Sequence, residues 1–389
     1  MMMVTRSLQL CILLVCSLTI VTIKCAKATQ TPDLYNVTTT IVHSAVSKGA
    51  VCLDGSPPAY YFEPGFGEGV ENWIVQLPGG GWCVNATNCA KRANGRLGSS
   101  KHMNPMEFQG IHSKNKIANP DFYNWNKVIV AYCDGGSFIG NAEHVDPATN
   151  MHYRGARIYT AVMEELLAKG LKNAKNAILA GSSAGSYAAI LYCDRFRSSL
   201  PKTSRVKCLV DSGYFVHFKD PVLAKPWETY HLKGLATVQE PFKTLPKACT
   251  SKMKPELCLF AENIQQYTKT PIFIFMSAFD NIVIAYTLTG STTYACIKNG
   301  TCTRSENNTI QGMRSDFLNA LPKGNPKLRG VFIDAVPHHT NILTRWTLQN
   351  STVIHNVSAP KAFADWYFDR NYTYLIDEHN LPVPDIVPK

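Results

Sequence analysis

The sequence predicts an α/β fold in which a doubly wound, mainly parallel sheet carries a cap or loop layer over its carboxyl edge. Two observations support this prediction. Short apolar runs rich in β-branched residues alternate with helical patterns, which is typical of parallel strands covered by helices on both faces. At residues 181–185, one such run passes through a glycine-flanked turn into a helical segment. In open α/β sheets, ligands bind where strands end in this way.

The apolar runs predict the strands, and a helical pattern between two of them predicts a helix that covers the sheet. The predicted strands, in chain order, are residues 73–77, 128–132, 177–180, 206–210, 272–276 and 331–333. Between them, residues 157–167 predict a helix, because Ile158, Val162 and Leu166 fall on one face. The proline-rich region 213–262 follows neither period, and we expect it to form the layer over the sheet.

The chain begins with a pattern typical of a secretory signal peptide. Arg6 precedes a nearly uncharged apolar stretch at 8–23, and small residues follow up to Ala28. The alternative is an uncleaved signal anchor, because the stretch is almost long enough to span a bilayer. We predict a signal peptide at 1–28, an N-terminal lead at 29–40 and a single domain at 41–389.

Cysteine and glycosylation patterns agree with secretion. Ten cysteines remain after residue 28, an even number that favours disulfides in an oxidising compartment. The short separations suggest three local loops, Cys83/Cys89, Cys249/Cys258 and Cys296/Cys302. No paired C-x-x-C spacing occurs, so no metal is predicted. Glycosylation acceptors of the form N-x-[ST] occur at Asn36, Asn85, Asn299, Asn307, Asn350, Asn356 and Asn371.

The composition indicates a globular protein with an excess of positive charge. The 389 residues are 45% hydrophobic, which is enough for a large core, and the formal net charge is +11. A basic secreted protein attracts polyanions such as acidic polysaccharide. No run of Lys and Arg interleaved with aromatic residues occurs, so nucleic acid is not expected as a partner. No stretch after the signal peptide predicts a membrane span.

The turn at 181–185 has the form G-x-S-x-G, with Ser183 at its centre. A serine that turns sharply from a strand into a helix has a strained backbone and an exposed hydroxyl, and glycines on either side avoid collisions there. The helix that follows directs N–H groups towards any oxyanion formed near the serine. This context favours a nucleophile over a plain tight turn.

Hydrolases with such a turn carry the acid and then the base after the serine in the chain. Asp280 directly follows a predicted strand and is the preferred acid, with Asp211, which follows another strand, as the runner-up. His338 and His339 follow the last core strand and are the preferred bases, and the pattern alone does not separate them. The less favoured histidines are His217, His231, His355 and His379.

A glycine run at 79–81 follows the first predicted strand and lets backbone N–H groups approach a ligand closely. Together with the N–H of Ala184, such a loop forms an oxyanion hole, in which each donor typically contributes about 3 kcal/mol of transition-state stabilisation. The predicted oxyanion candidates are Gly80, Gly81, Trp82 and Ala184. This chemistry requires no cofactor.

Several longer segments resemble one family, the plant pectin acetylesterases, whose animal relative is the Notum carboxylesterase. These segments are 49–60 (GAVCLDGSPPAY), 73–77 (WIVQL), 79–83 (GGGWC), 96–100 (RLGSS), 119–126 (NPDFYNWN), 132–135 (YCDG) and 193–197 (CDRFR). The resemblance implies an α/β-hydrolase-like fold and a secreted serine esterase that removes acetyl groups from pectin in the plant cell wall. It also implies a triad of Ser183, Asp280 and His339, since the family's His-Cys-Gln matches residues 339–341.

The chain departs from the family pattern around the expected site. The differing positions, with the usual residue in brackets, are Pro78 (Glu), Ser182 (Cys), Ser186 (Gly), Ile282 (Trp), Val283 (Gln), Val336 (Cys) and Thr340 (Cys). All three triad residue types are nevertheless present. Two other functions stay open: an esterase of another acylated glycan or of a lipidated protein, and a polysaccharide binder in which the altered site is no longer catalytic.

Overall fold

The computed structural model describes residues 34–228, 233–288, 293–346 and 352–383. The predicted signal peptide at 1–28 lies outside these ranges, as do His231 and Asn350. The described strands are β1 (Tyr35–Val37), β2 (Thr39–Ile41), β3 (Ala59–Glu63), β4 (Asn72–Leu77), β5 (Met106–Phe108), β6 (Asn126–Val130), β7 (Asn176–Ser182), β8 (Arg205–Asp211), β9 (Ile272–Ser277), β10 (Arg329–Asp334), β11 (Val353–Ile354), β12 (Val357–Ser358) and β13 (Tyr374–Ile376).

The main sheet confirms the predicted parallel core. Its order is β13-β10-β9-β8-β7-β4-β6-β3-β2. The six strands from β10 to β6 are the six apolar runs found in the sequence, and they pair in parallel with one another. Only the edge differs from the expectation, because β3 and β2 join antiparallel. The strand β2 begins at Thr39, so the predicted lead at 29–40 runs into the main sheet.

Helices cover both faces of the sheet. They are α1 (Ala86–Ala93), α2 (Gly155–Ala168), α3 (Ala184–Ser198), α4 (Pro221–Pro226), α5 (Lys233–Gln239), α6 (Lys247–Thr250), α7 (Ala261–Ile264), α8 (Asn281–Thr287), α9 (Thr293–Asn299), α10 (Arg304–Ala320) and α11 (Ala359–Tyr367). The helix predicted at 157–167 is α2, extended by a few residues at its start.

Side chains of each central strand alternate between the two layers because successive Cβ atoms point to opposite faces. In β7, Ala177 and Leu179 pack in the cluster that contains α2 and α3. Ile178 and Ala180 pack in the opposite cluster, under α11. Two-sided burial explains why these strands are continuous apolar runs rather than alternating ones.

The described parts of region 213–262, residues 213–228 and 233–262, form a layer of short helices and loops, as predicted. The disulfide Cys249–Cys258 closes one of its loops. The Tyr187 hydroxyl of α3 donates a hydrogen bond to the carbonyl of Cys258 at 3.1 Å, which fastens this layer to the sheet's helical cover. Phe215 and Trp227, from the same layer, line the cleft that contains Ser183.

The ten cysteines after the predicted signal peptide form five disulfides. The three local pairs suggested by the sequence are confirmed. The other two bridges join distant parts of the chain, Cys52–Cys133 and Cys193–Cys208. In the ranges 34–228, 233–288, 293–346 and 352–383, no helix is long and apolar enough to cross a bilayer.

Candidate active site

The turn between β7 and α3 is a strained elbow centred on Ser183. This residue has φ 54° and ψ −127°, a conformation that a non-glycine residue rarely adopts. Both flanking glycines are required by close approach of the backbone. A Cβ at Gly181 would lie 2.4 Å from the carbonyl oxygen of Gly185, and a Cβ at Gly185 would lie 2.0 Å from that of Leu77. The G-x-S-x-G pattern therefore reflects steric necessity in this fold.

Three side chains from different strand ends meet at this elbow. His339 Nε2 lies 2.8 Å from Ser183 Oγ, and its Nδ1 lies 2.8 Å from Asp280 Oδ2. With the ring protonated at Nδ1, Nε2 is free to accept the serine proton. Ser183 follows β7, Asp280 follows β9 and His339 follows β10, so the parallel sheet delivers all three to one edge.

The surroundings of His339 shift the pKa of its imidazole in opposing directions. Burial lowers the pKa of this imidazole, but the hydrogen bond and charge of Asp280, together with the charge of Asp211, raise the pKa above its ordinary value. Asp280 itself is fixed, because its Oδ1 accepts the backbone N–H groups of Ile282 and Val283 at the start of α8. The carboxylate thus caps a helix and orients the imidazole at the same time.

The predicted oxyanion loop lies against the elbow. Gly79 is so close that a Cβ there would lie 2.5 Å from the Cβ of Ser183. Two carbonyl groups of the loop are fixed by hydrogen bonds. Gly80 O accepts from Arg92 at 2.5 Å, and Gly81 O accepts from Tyr132 at 2.7 Å. The four oxyanion candidates line the same cleft as Ser183: Gly80, Gly81, Trp82 and Ala184.

The cleft above the elbow has a volume of about 890 Å³ and a wall of aromatic rings. Trp82 meets Phe215 and Trp227 edge to face, with ring centroids 5.5 Å and 6.1 Å apart. The Trp82 indole also donates to Ser137 Oγ, and Ser137 in turn donates to the carbonyl of Ala184. These two hydrogen bonds fix the position of Trp82 relative to the start of α3. Both this aromatic wall and the Ser183–His339 pair line the cleft.

A family model described as pectinacetylesterase matches residues 30–386 of this chain. The chain belongs to the pectinacetylesterase family. Pectin acetylesterase 11 of Arabidopsis thaliana is 43% identical over 353 residues, which are 88% of this chain and 90% of the relative. Pectin acetylesterase 7 of the same plant is 44% identical over 349 residues, or 87% of this chain and 89% of the relative. Together these relatives identify a carboxylic-ester hydrolase.

The fold matches that of the Notum enzymes. The crystal structure of the Wnt deacylase Notum from Drosophila superimposes with a TM-score of 0.76 at 24% identity, covering 90% of this chain and 98% of that one. The palmitoleoyl-protein carboxylesterase NOTUM of Mus musculus is 29% identical over 253 residues, which are 61% of this chain and 50% of the relative. These likenesses confirm the α/β-hydrolase-like fold of this member of the pectinacetylesterase family.

Two serines of the elbow, Ser182 and Ser186, both bind to Asp211. Ser182 Oγ donates to Asp211 Oδ2 at 3.1 Å and accepts from Gln76 Nε2 at 3.1 Å. Ser186 Oγ accepts from the backbone N–H of Asp211 at 3.1 Å, and the Asp211 carbonyl accepts from the N–H of Ser183 at 2.8 Å. Both serines therefore anchor the elbow beneath Ser183 through polar contacts.

Asp211, the runner-up acid, directs its carboxylate to the histidine loop and has no hydrogen bond to His339 or to Ser183 Oγ. Its carboxylate accepts from the backbone N–H and the side-chain amide of Asn341, both at 2.9 Å, and from the N–H of Ile342 at 3.3 Å. Burial raises the pKa of Asp211, and these hydrogen bonds lower it in part. The residue therefore fixes both the elbow and the loop that carries His339.

Two more residues beside the elbow have unusual backbone conformations. Ser212 has φ 52° and Thr340 has φ 65°, and a β-branched residue such as threonine rarely adopts this region. The N–H of Thr340 donates to Ser212 Oγ at 2.9 Å, and the N–H of Ser212 donates to the carbonyl of Phe275 at 2.9 Å. These bonds hold Ser212 and Thr340 in their strained conformations beside the elbow.

Among the described residues, the other histidine candidates form no hydrogen bond with Ser183 Oγ. His338 pairs with Asp334, His217 with Glu228 and His379 with Asp377, and His355 is exposed. Three residues that hold the elbow and the oxyanion loop were not predicted from the sequence: Gln76, Arg92 and Tyr132. The one signal for them was a glutamine inside the apolar run at 73–77. In the described ranges, no group of His, Cys, Asp or Glu side chains is arranged to hold a metal ion.

Proposed function

We propose that this protein is a secreted serine esterase that hydrolyses acetyl esters of cell-wall pectin through an acetyl-enzyme intermediate. The observation that carries the proposal is the hydrogen-bond chain Ser183–His339–Asp280 in an open cleft of a pectinacetylesterase family member. Relatives named pectin acetylesterase, at 43% and 44% identity, support the choice of ester and polymer.

The reaction proceeds in two halves. Ser183 Oγ attacks the acetyl carbonyl carbon while His339 Nε2 takes the serine proton, and the sugar hydroxyl leaves with that proton. Water then attacks the acetyl-enzyme, giving its proton to His339, and acetate is released as Ser183 is reprotonated. The N–H groups of Gly80, Gly81 and Ala184 are the proposed donors to the oxyanion in both halves.

The choice of a short acyl group rests on the relatives named pectin acetylesterase. Behind Phe215 and Trp227 lies an apolar space with room for about one water molecule, so this side of the cleft has no preformed tunnel for a long acyl chain. We expect acetyl esters to be hydrolysed much faster than octanoyl esters, which separates this proposal from a deacylase of lipidated protein.

Three features support secretion to the wall. Five disulfides are stable in an oxidising compartment. Several glycosylation acceptors are exposed, among them Asn36, Asn85, Asn356 and Asn371. The net charge of +11 suits a protein that works on an acidic polymer.

Acetate release from acetylated pectin tests the proposal. Ser183→Ala is expected to abolish release from pectin and from p-nitrophenyl acetate, because the variant lacks the nucleophile. Ser47→Ala, at an exposed serine far along the chain from the elbow, serves as the matched control. Full activity of Ser183→Ala would overturn the proposal.

A further inference from the structure

We propose that a cationic groove beside the active-site cleft binds a free carboxylate of a neighbouring uronate unit, so that the enzyme prefers acetylated stretches whose carboxyl groups are not methyl-esterified. This inference rests on the proposed pectin substrate and adds a specificity to it. The groove, which we call the α1 groove, lies along the helix α1 and the loop that follows it. Its lining residues are Asn88, Lys91, Arg92, Asn94, Gly95, Arg96 and Leu97.

The α1 groove is continuous with the active-site cleft. Its volume is about 500 Å³, and three of its residues, Asn88, Arg92 and Arg96, also line the cleft that contains Ser183. A polymer that presents an ester to the nucleophile therefore has an open path along α1. A neighbouring sugar of the same chain lies over the cations.

The cations of this groove are available to a ligand. Arg96 and Lys91 are exposed, and neither has an ion-pair partner among the described residues. Arg92 uses its guanidinium on the carbonyls of the oxyanion loop and adds its positive charge to the same surface. Among the described lining residues of both spaces, Glu107 is the one carboxylate. The path is therefore biased towards an anion.

A second basic hollow on the protein has most of its cations paired. It lies over α2 and α3, with a volume of about 510 Å³. Three of its cations are neutralised by glutamates, in the pairs Lys48–Glu164, Arg157–Glu143 and Lys243–Glu240. Its fourth cation, Arg195, donates a hydrogen bond to Thr160. The hollow shares no lining residue with the active-site cleft, whereas the α1 groove shares three.

The helix α1 is fixed relative to the oxyanion loop. The disulfide Cys83–Cys89 links the end of that loop to the middle of α1. Asn85 caps the helix by accepting the N–H of Asn88 at 2.8 Å. Arg96 follows the end of α1 closely in the chain, so its backbone is tied to the oxyanion loop through the helix. In this proposal, a carboxylate bound by Arg96 places an acetyl group of the adjacent sugar at the elbow.

The guanidinium of Arg96 distinguishes a free carboxylate from its methyl ester. Arginine donates two parallel hydrogen bonds to a carboxylate, and the bonds are strengthened by charge on both sides. Methyl esterification removes the negative charge and leaves a neutral ester. The same polymer without free carboxylates therefore loses this contact, although its acetyl groups are unchanged.

The test compares two acetylated polygalacturonates of equal acetyl content, one with free carboxyl groups and one methyl-esterified. Wild-type enzyme is expected to show a higher kcat/KM on the free-carboxylate polymer, and the preference should shrink as ionic strength rises. Arg96→Gln should lower kcat/KM on that polymer about three- to fivefold more than on p-nitrophenyl acetate. Arg304→Gln removes an exposed cation outside both spaces and is expected to leave the preference intact.

Each outcome decides a separate claim. Equal rates on both polymers, with Arg96→Gln behaving as wild type, would overturn the carboxylate subsite and leave the pectin esterase standing. Absence of acetate release from either polymer, with p-nitrophenyl acetate still cleaved, would overturn the proposed pectin substrate and the subsite together. A preference that falls in Arg96→Gln and survives in Arg304→Gln supports the subsite.

Discussion

Two adjacent histidines at the end of β10 each pair with a buried aspartate, and they do so through different ring nitrogens. His338 meets Asp334 through Nε2, and its Nδ1 has no hydrogen-bond partner among the described residues. His339 meets Asp280 through Nδ1, which leaves Nε2 for Ser183 at 2.8 Å. The side chains also differ in exposure, 6% for His338 and 16% for His339.

The difference shows what makes a histidine a base in this fold. A carboxylate partner is common to both residues and decides nothing by itself. What matters is that the carboxylate binds Nδ1 of the ring, so that Nε2 is left to reach the hydroxyl of Ser183. We therefore assign His338–Asp334 to holding the loop and His339–Asp280 to the proposed reaction.

The largest expected effect comes from the acid of the proposed catalytic pair. Asp280→Asn keeps an oxygen for the cap of α8 but favours the wrong imidazole tautomer, and such a change typically lowers kcat by about ten-thousandfold. Asp334→Asn makes the same change in the other pair and should lower kcat less than tenfold. Hydrolysis of p-nitrophenyl acetate by both variants measures this, with melting temperatures to confirm folding. Similar losses of kcat in the two variants would contradict the distinction between the two histidine–aspartate pairs.

An intermediate effect on activity is expected from Asp211, whose charge acts on His339. The base form of His339 is neutral, so kcat/KM rises with pH through its pKa, and the raised pKa places this inflection above the ordinary value of 6.5. Asp211→Asn removes one of the charges that raise the pKa, so the inflection should move to lower pH. The variant then keeps a larger fraction of its plateau rate at acid pH.

A pH–rate profile of Asp211→Asn, recorded with its stability, checks this account. We also expect about 2–4 kcal/mol of destabilisation, because buried donors of Asn341 and Ile342 lose a charged acceptor. An inflection at the wild-type position in a correctly folded variant would show that Asp211 does not act on His339.

The smallest effect on activity is expected at His338. His338→Gln retains an N–H that donates to Asp334, so kcat/KM should fall less than threefold. Loss of the buried ring should cost about 1 kcal/mol of stability. Urea unfolding and steady-state kinetics of the one variant measure both quantities. A large loss of kcat with little loss of stability would give His338 a role in the reaction.

Much of the fold was predictable because the central strands are buried on both sides. Runs such as 177–180 and 272–276 are apolar throughout, and both became central strands. The edge strands β2 and β13 were missed, since three-residue strands with partly exposed side chains leave no periodic signal. Edge strands are specified by what they pair with, which is information from distant parts of the chain.

The site was predictable to the extent that chain order carries it. Ser183 and Asp280 follow from a strand end and a turn, and the resemblance selected His339. Residue pattern alone did not separate His338 from His339, because the partner of His339, Asp280, is 59 residues away in the chain and is brought close by the pairing of β9 with β10. The anchoring role of Asp211 depends on contacts about 130 residues away along the chain and was likewise beyond the sequence.

The central claim is that His339, and not His338, activates Ser183. Labelling with a fluorophosphonate tests it most directly, because the probe forms a bond to an activated serine oxygen with loss of fluoride. The matched variants are His338→Gln and His339→Gln, compared at equal folded concentration by mass spectrometry of the peptide containing Ser183. We predict labelling of the wild type and His338→Gln and none of His339→Gln. Labelling of His339→Gln at the wild-type rate would contradict the claim.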